Sequence, residues 1–188
     1  MSPNLFRLSK DGGFTLVELL ISITIIVIIT AATVPSFAGY IKNQGLKQAQ
    51  EQLKSDLRNV QNKALTGALS DTLLNGNPVA YWAVRFSAAS NSYEYFISDV
   101  ATAGACPSGA IPAAQLQGNS SIPTGMEVQS AGYKCLFFSM ANGKITPINF
   151  TGSEVVVKYS GSSAGGDCRR LGFNTNGLIY TSSITTCP

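Results

Sequence analysis

The sequence predicts an α+β fold in which a long N-terminal helix, kinked once, lies on an antiparallel β-sheet. Three observations carry that reading. Phe14 to Val34 is an unbroken apolar run of 21 residues with one formal charge, Glu18, and Pro35 follows it. Leu46, Ala49, Leu53, Leu57, Val60 and Ala64 then recur at steps of three and four, the spacing of one helical face. Beyond Gly67 the pattern changes to short runs rich in Val, Ile, Phe and Tyr, broken by turn residues.

As a helix the apolar run is roughly 31 Å long at 1.5 Å per residue, about the thickness of a bilayer's hydrocarbon core, so it can span a membrane. Its carboxylate is the anomaly. Glu18 inside hydrocarbon costs about 2.5–3.5 kcal/mol at the bilayer centre and less towards an end. Either it lies near enough to the interface to snorkel, or it has a partner. If the chain is cut after Gly13, Phe14 gains an ammonium a few residues away. A neighbouring copy can present the same charge, and Glu18 then becomes a device for registering many copies. Pro35 reads as a kink, because spans tolerate proline where neighbours satisfy the freed carbonyl. Gly39 and Gly45 are further soft points. Lys47, Glu51, Lys54, Asp56 and Arg58 lie off the apolar stripe, and the helix is expected to end near Thr66-Gly67, where glycine can cap it.

Strands are expected over Val79–Phe86 and Tyr93–Ile97. The stretch from Asp99 to Gly132, rich in Ala, Gly, Ser and Pro, reads as one long loop holding Cys106, an uncommon length in a compact domain. Lys134–Met140 and Lys144–Phe150 flank Ala141-Asn142-Gly143, a hairpin signal. Glu154–Tyr159 is another strand, and Arg169–Asn174 pairs with Leu178–Thr181 across Thr175-Asn176-Gly177. The total is five to seven antiparallel strands with the helix stripe on one face.

Composition narrows the function. The 188 residues are 45% apolar, enough for one domain and a membrane segment, and only 12% charged, as in exported proteins rich in Ser, Thr, Gly and Asn. The net charge of +3 falls to +2 without residues 1–13, which leaves 11 basic and 9 acidic side chains. That is too small to argue for nucleic acid by itself. There is no histidine, which removes Ser-His-Asp and Cys-His triads and paired-His zinc sites together. Gly165-Gly166 lacks the Lys-Ser/Thr of a phosphate-binding loop, and no Asp-x-Asp loop suggests a metal. No enzyme activity and no cofactor is expected.

Four cysteines, Cys106, Cys135, Cys168 and Cys187, lie in the C-terminal part without a Cys-x-x-Cys pair. An even number outside a membrane suggests two disulfides, and spacing favours Cys106–Cys135 with Cys168–Cys187. The alternative is buried free thiols in a reducing host. Arg169-Arg170, with Lys158 and Lys144 nearby, is a candidate DNA contact. Adjacent strand residues point to opposite faces, however, and a solvated edge charge that discourages strand pairing explains them as well. Trp82 with Tyr81, Tyr93 and Tyr95 can be read as a sugar platform, although alternation puts about half of them in the core.

Gly13-Phe14-Thr15-Leu16-Val17-Glu18-Leu19-Leu20 resembles the prepilin cleavage and methylation motif of type IV pilins and type II secretion pseudopilins. The resemblance implies cleavage after Gly13 by a membrane-embedded prepilin peptidase, N-methylation of Phe14, and subunit docking promoted by Glu18. It also implies a cytoplasmic leader, which basic residues alone do not settle, since Arg7 and Lys10 precede the span and Lys42 and Lys47 follow it. Residues 1–13 are then a leader and stay out of fold reasoning. Residues 14–35 form a transmembrane and filament-core half-helix, 36–66 an amphipathic half, and 67–188 a disulfide-containing β-rich domain. The implied partners are other pilin or pseudopilin subunits, the prepilin peptidase, an inner-membrane assembly platform and the membrane itself, with DNA as a further possibility in uptake pilins. Ser55-Asp56-Leu57-Arg58 and Phe173-Asn174-Thr175-Asn176-Gly177 are similar to the subgroup of minor pilins and the minor pseudopilin H.

Overall fold

The structure is a computed structural model. It describes residues 13–100, 104–162, 167–182 and 187, without the side chains of 32–36 and 38. All of the expected leader but Gly13 lies outside the described residues. The chain forms two units, Met1–Ile41 and Lys42–Pro188, and the long helix α1 (Leu16–Leu65) begins in the first and ends in the second.

In the first unit Thr15 is the N-cap of α1. Its Oγ1 accepts the Glu18 amide at 3.2 Å, and its carbonyl accepts the Leu19 amide at 3.1 Å. Leu16, Val17, Leu19, Leu20, Ile21, Ile23 and Ile25 to Ile29 are all exposed, covering every side of the helix. The few hydroxyls in this run are turned inward. Ser22 donates to the Glu18 carbonyl and Thr30 to that of Ile26, each at 2.7 Å, and Thr24 donates to that of Ile21. Among the described residues no helix is long and apolar enough to cross a membrane. The expected span, Phe14 to Val34, includes positions 32–34, whose side chains lie outside them. Pro35 falls within α1; its side chain, too, lies outside the described residues.

In the second unit the six stripe residues, Leu46, Ala49, Leu53, Leu57, Val60 and Ala64, are all buried, none exposed by more than 2%. The helix ends in a Schellman cap. The Ala68 amide reaches the Lys63 carbonyl and the Gly67 amide that of Ala64, with Gly67 at φ +66°.

Ten antiparallel strands follow among the described residues: β1 (Leu73–Leu74), β2 (Asn77–Phe86), β3 (Ser92–Asp99), β4 (Leu116–Ser121), β5 (Met126–Val128), β6 (Lys134–Ser139), β7 (Ile145–Ile148), β8 (Glu154–Tyr159), β9 (Cys168–Phe173) and β10 (Ile179–Ser182). They form two sheets rather than one. The larger runs β4-β3-β2-β6-β7 with β1 on β2, and the smaller runs β10-β9-β8-β5. A bridge pairs Ser90, in the connection between β2 and β3, with Val128 of β5.

One core joins the helix stripe to both sheets, through Val84, Ile97, Leu136 and Phe138 on the larger and Val155, Val157, Leu171 and Phe173 on the smaller. The other face of the larger sheet is also covered. Ala83, Phe96 and Phe137 pack there against Ile111 and the cysteines at 106 and 135.

The expectation of a single loop from Asp99 to Gly132 is corrected by β4 and β5. The sequence of β4, Leu-Gln-Gly-Asn-Ser-Ser, carries no apolar alternation because it is an edge strand, exposed along most of its length. The short hairpin of β1 and β2 is a second addition, turned by Asn75 and Gly76, both at positive φ.

Candidate functional site

The first candidate is the start of α1. Gly13 and Phe14 precede the helix in irregular backbone, both exposed, with Phe14 at 80%. That places the expected cleavage bond in accessible chain. Glu18 is the third residue of the helix, in its first turn, where the unpaired amides and the positive end of the helix dipole favour an anion. With Thr15 as N-cap the spacing is that of a capping box. The signal, Thr15-x-x-Glu18, stands in the sequence. It assigns Glu18 a role in the isolated helix, besides any role between copies.

The second candidate is the cysteine set. Cys106 and Cys135 are joined by a disulfide. Cys168 and Cys187 are both free and buried, so the second pairing is not formed in this structure. The two thiols are neighbours nevertheless. Burial, then the contact with Cys187, pushes the Cys168 thiol up to about 12.

The third is the arginine pair. The structure does not bring its members together. Arg169 turns to the helix side and donates to Asn43 Oδ1, while Arg170 turns outward and pairs with Glu154 at 3.1 Å. Lys158, also on the outer face of the smaller sheet, pairs with Glu127 at 3.2 Å. Arg169, Arg170 and Lys158 therefore point to two faces, and the two outward cations already hold carboxylates. The aromatic platform dissolves in the same way. Trp82 and Tyr93 are core residues, and the Trp82 indole N–H donates to the Ala68 carbonyl at 2.9 Å. Among the described residues no three His, Cys, Asp or Glu side chains are grouped to hold a metal.

Sequence reasoning missed how the polar side of α1 is used. Gln50, 2% exposed, donates from Nε2 to the Arg170 carbonyl at 2.6 Å and the Ser182 carbonyl at 3.2 Å. Gln52 donates to Ser121, Arg58 to Ile179 and Gln61 to Gly177. Each is a helix side chain donating to a carbonyl in or beside a strand. Gly177, at φ +93°, is needed for the last of these, because a Cβ there would fall 2.7 Å from Gln61 Nε2. Asp56 closes the set by accepting from the Tyr93 hydroxyl and from Ser120 Oγ at 3.0 Å. Asp56, Leu57 and Arg58, quoted above for a subgroup likeness, thus fasten the helix to the strands.

Residues 8–34 match the family described as the prokaryotic N-terminal methylation motif. The resemblance seen in Gly13 to Leu20 is borne out over that segment, while the finer likeness to the minor pseudopilin H subgroup is not distinguished. No curated protein matches the sequence. Among solved structures, the crystal structure of the type IV minor pilin FimU of Pseudomonas aeruginosa, strain PAO1, is similar at 15% identity and a TM-score of 0.44. The likeness covers 76% of this chain and 92% of that one.

Proposed function

We propose that this chain is a structural subunit of a type IV pilus or related filament, a minor one, made as a membrane-anchored precursor. The observation that carries the reading is the start of α1: an N-terminal methylation motif on a helix whose apolar side chains are exposed on every side. A prepilin peptidase cuts after Gly13, and Phe14 is N-methylated. Before assembly the span sits in the cytoplasmic membrane with its N-terminus cytoplasmic; afterwards the subunit stands in a periplasmic or extracellular filament. Copies delivered through an inner-membrane platform exchange lipid contacts for helix contacts. The Phe14 ammonium of one copy meets Glu18 of the next, which sets the axial step.

A minor pseudopilin of type II secretion would use the same steps; abundance in sheared filaments separates a major from a minor subunit, and the neighbouring genes separate a pilus from a secretion system. The test is a Glu18→Ala variant. It should remain processed to an N-methylated Phe14 by mass spectrometry and remain membrane-bound, yet enter sheared filaments at a tenth or less of the wild-type yield. Normal yield would sink the pairing, and an intact Met1 in the wild type would sink the whole reading.

A further inference from the structure

Arg85 lies on the face of the larger sheet turned away from α1, where alternation along β2 places it beside Ala83. Its register partners are Glu94 on β3 and Cys135 on β6. The residue is 5% exposed. Nε donates to Glu94 Oε2 at 2.8 Å and Nη2 donates to the same oxygen. Nη1 donates to the carbonyls of Pro107, at 3.0 Å, and Gly109. The Tyr133 ring lies 4.8 Å from the guanidinium carbon.

Pro107 directly follows Cys106, whose sulfur is bonded to Cys135. One buried cation and one disulfide therefore fasten the same short loop at neighbouring strand positions. Once the disulfide exists the cation adds little restraint, yet burying it carries a large desolvation cost that only close partners offset. These contacts do not depend on the bond and are available before it forms. Four cysteines allow three pairings, and bringing Cys106 to Cys135 closes 29 residues of chain. Backbone carbonyls on either side of Ser108, held by a planar fork, deliver Cys106 in one place.

We infer that the Arg85–Glu94 pair is a docking element that seats Cys106 against Cys135 before oxidation and directs the first disulfide away from Cys168 and Cys187. Arg85 takes no part in the bond chemistry; it is a positioning residue. With oxidised glutathione as oxidant, one cysteine thiolate attacks its disulfide and one glutathione thiol leaves. The second cysteine thiolate then displaces the other. Cys106 and Cys135 lose two protons and two electrons, and one glutathione disulfide is reduced to two thiols.

The test refolds the full reduced chain in detergent micelles with glutathione buffer, traps thiols with acid and alkylation at intervals, and maps pairings by mass spectrometry. Wild type should form Cys106–Cys135 first. Arg85→Met withdraws both bonds to the loop carbonyls and should close that bond at least tenfold more slowly, about the factor that a single charge-assisted hydrogen bond is worth, and should divert chains into pairings with Cys168 or Cys187. Glu94→Gln should fall between the two, and decides by the same reading if Arg85→Met does not fold.

A second measurement removes the bond itself. In Cys135→Ser the 107–111 loop should stay resistant to limited proteolysis, and Cys135→Ser with Glu94→Gln should lose that protection. Closure within twofold of wild type in the variants, or an unprotected loop in Cys135→Ser, overturns the inference.

Discussion

The two halves of α1 use one secondary structure in opposite ways. From Leu16 to Ile29 the apolar side chains are exposed on every side. From Leu46 to Ala64 they form a single stripe, fully buried, while Gln50, Gln52, Arg58 and Gln61 on its flanks donate to strand carbonyls. The second half has completed its packing within its own chain. The first has its packing still to find, and an exposed apolar surface of that extent marks an interaction site or a membrane contact. A helix with a stripe is built for one neighbour, whereas a helix apolar all round is built to be surrounded.

Breaking the second half should therefore cost the fold, and breaking the first should not. Leu53→Ala, at a position with no exposure, should lower domain stability by about 2–5 kcal/mol in urea unfolding. Ile25→Ala, 52% exposed, should leave the same midpoint within about 0.5 kcal/mol. A comparable loss in both would erase the contrast.

Gln50→Leu keeps the volume on the helix face but withdraws the donor to Arg170 and Ser182, and should cost about 1–3 kcal/mol. No measurable change would mean that the polar flank is ornamental.

The Asp56 junction should report on pH. Burial and the Asp56 contact hold the Tyr93 phenol far above its ordinary value of 10.0, and burial raises Tyr95 as well. A raised folded-state value means that the neutral phenol is favoured in the fold. For Tyr93 this contribution is complete below pH 10 and is lost as pH rises beyond it, by at most about 1.4 kcal/mol per unit. Tyr93→Phe should flatten that alkaline slope in urea titrations at pH 9 to 11, and an unchanged slope would remove Tyr93 from the junction.

The smallest expected effect is in the first half. Thr15→Ala removes the N-cap and should cost the first turn about 1 kcal/mol, seen as faster amide exchange at Glu18 and Leu19 in micelles, with the domain unfolding midpoint unchanged.

Much of this contrast was legible in the residues. The stripe was read position by position, and the hairpins at Asn142-Gly143 and Asn176-Gly177 followed from turn chemistry. What escaped did so for physical reasons. Strand alternation says which face is buried but not which strands share a ladder, so two sheets read as one. Leu73-Leu74 is too short to show a period, and without one the Asn75-Gly76 pair behind it does not mark a hairpin. The polar edge strand β4 has no pattern to read. Gln50 sits one turn after Leu46 and three residues before Leu53, so its place on the buried face was available; its partners, more than a hundred residues away, were not. At the candidate site the Gly13-Phe14-Glu18 motif was plain, and the Thr15 cap is written in the same six residues as the spacing Thr15-x-x-Glu18. The arginine pair failed because its neighbours, Asn43 and Glu154, come from other elements.

The inward-turned hydroxyls of Ser22, Thr24 and Thr30 have a consequence for anything that packs on the first half. Their protons already serve the carbonyls of their own helix, and the side chains around them are hydrocarbon. Such a surface is greasy in every direction and offers a partner few directional bonds. Dispersion alone holds two of them together with little preference for angle or height, like smooth rods free to turn and slide. Order along the axis must then come from the shapes of Leu, Ile and Val side chains and from one charged mark near the end, Glu18.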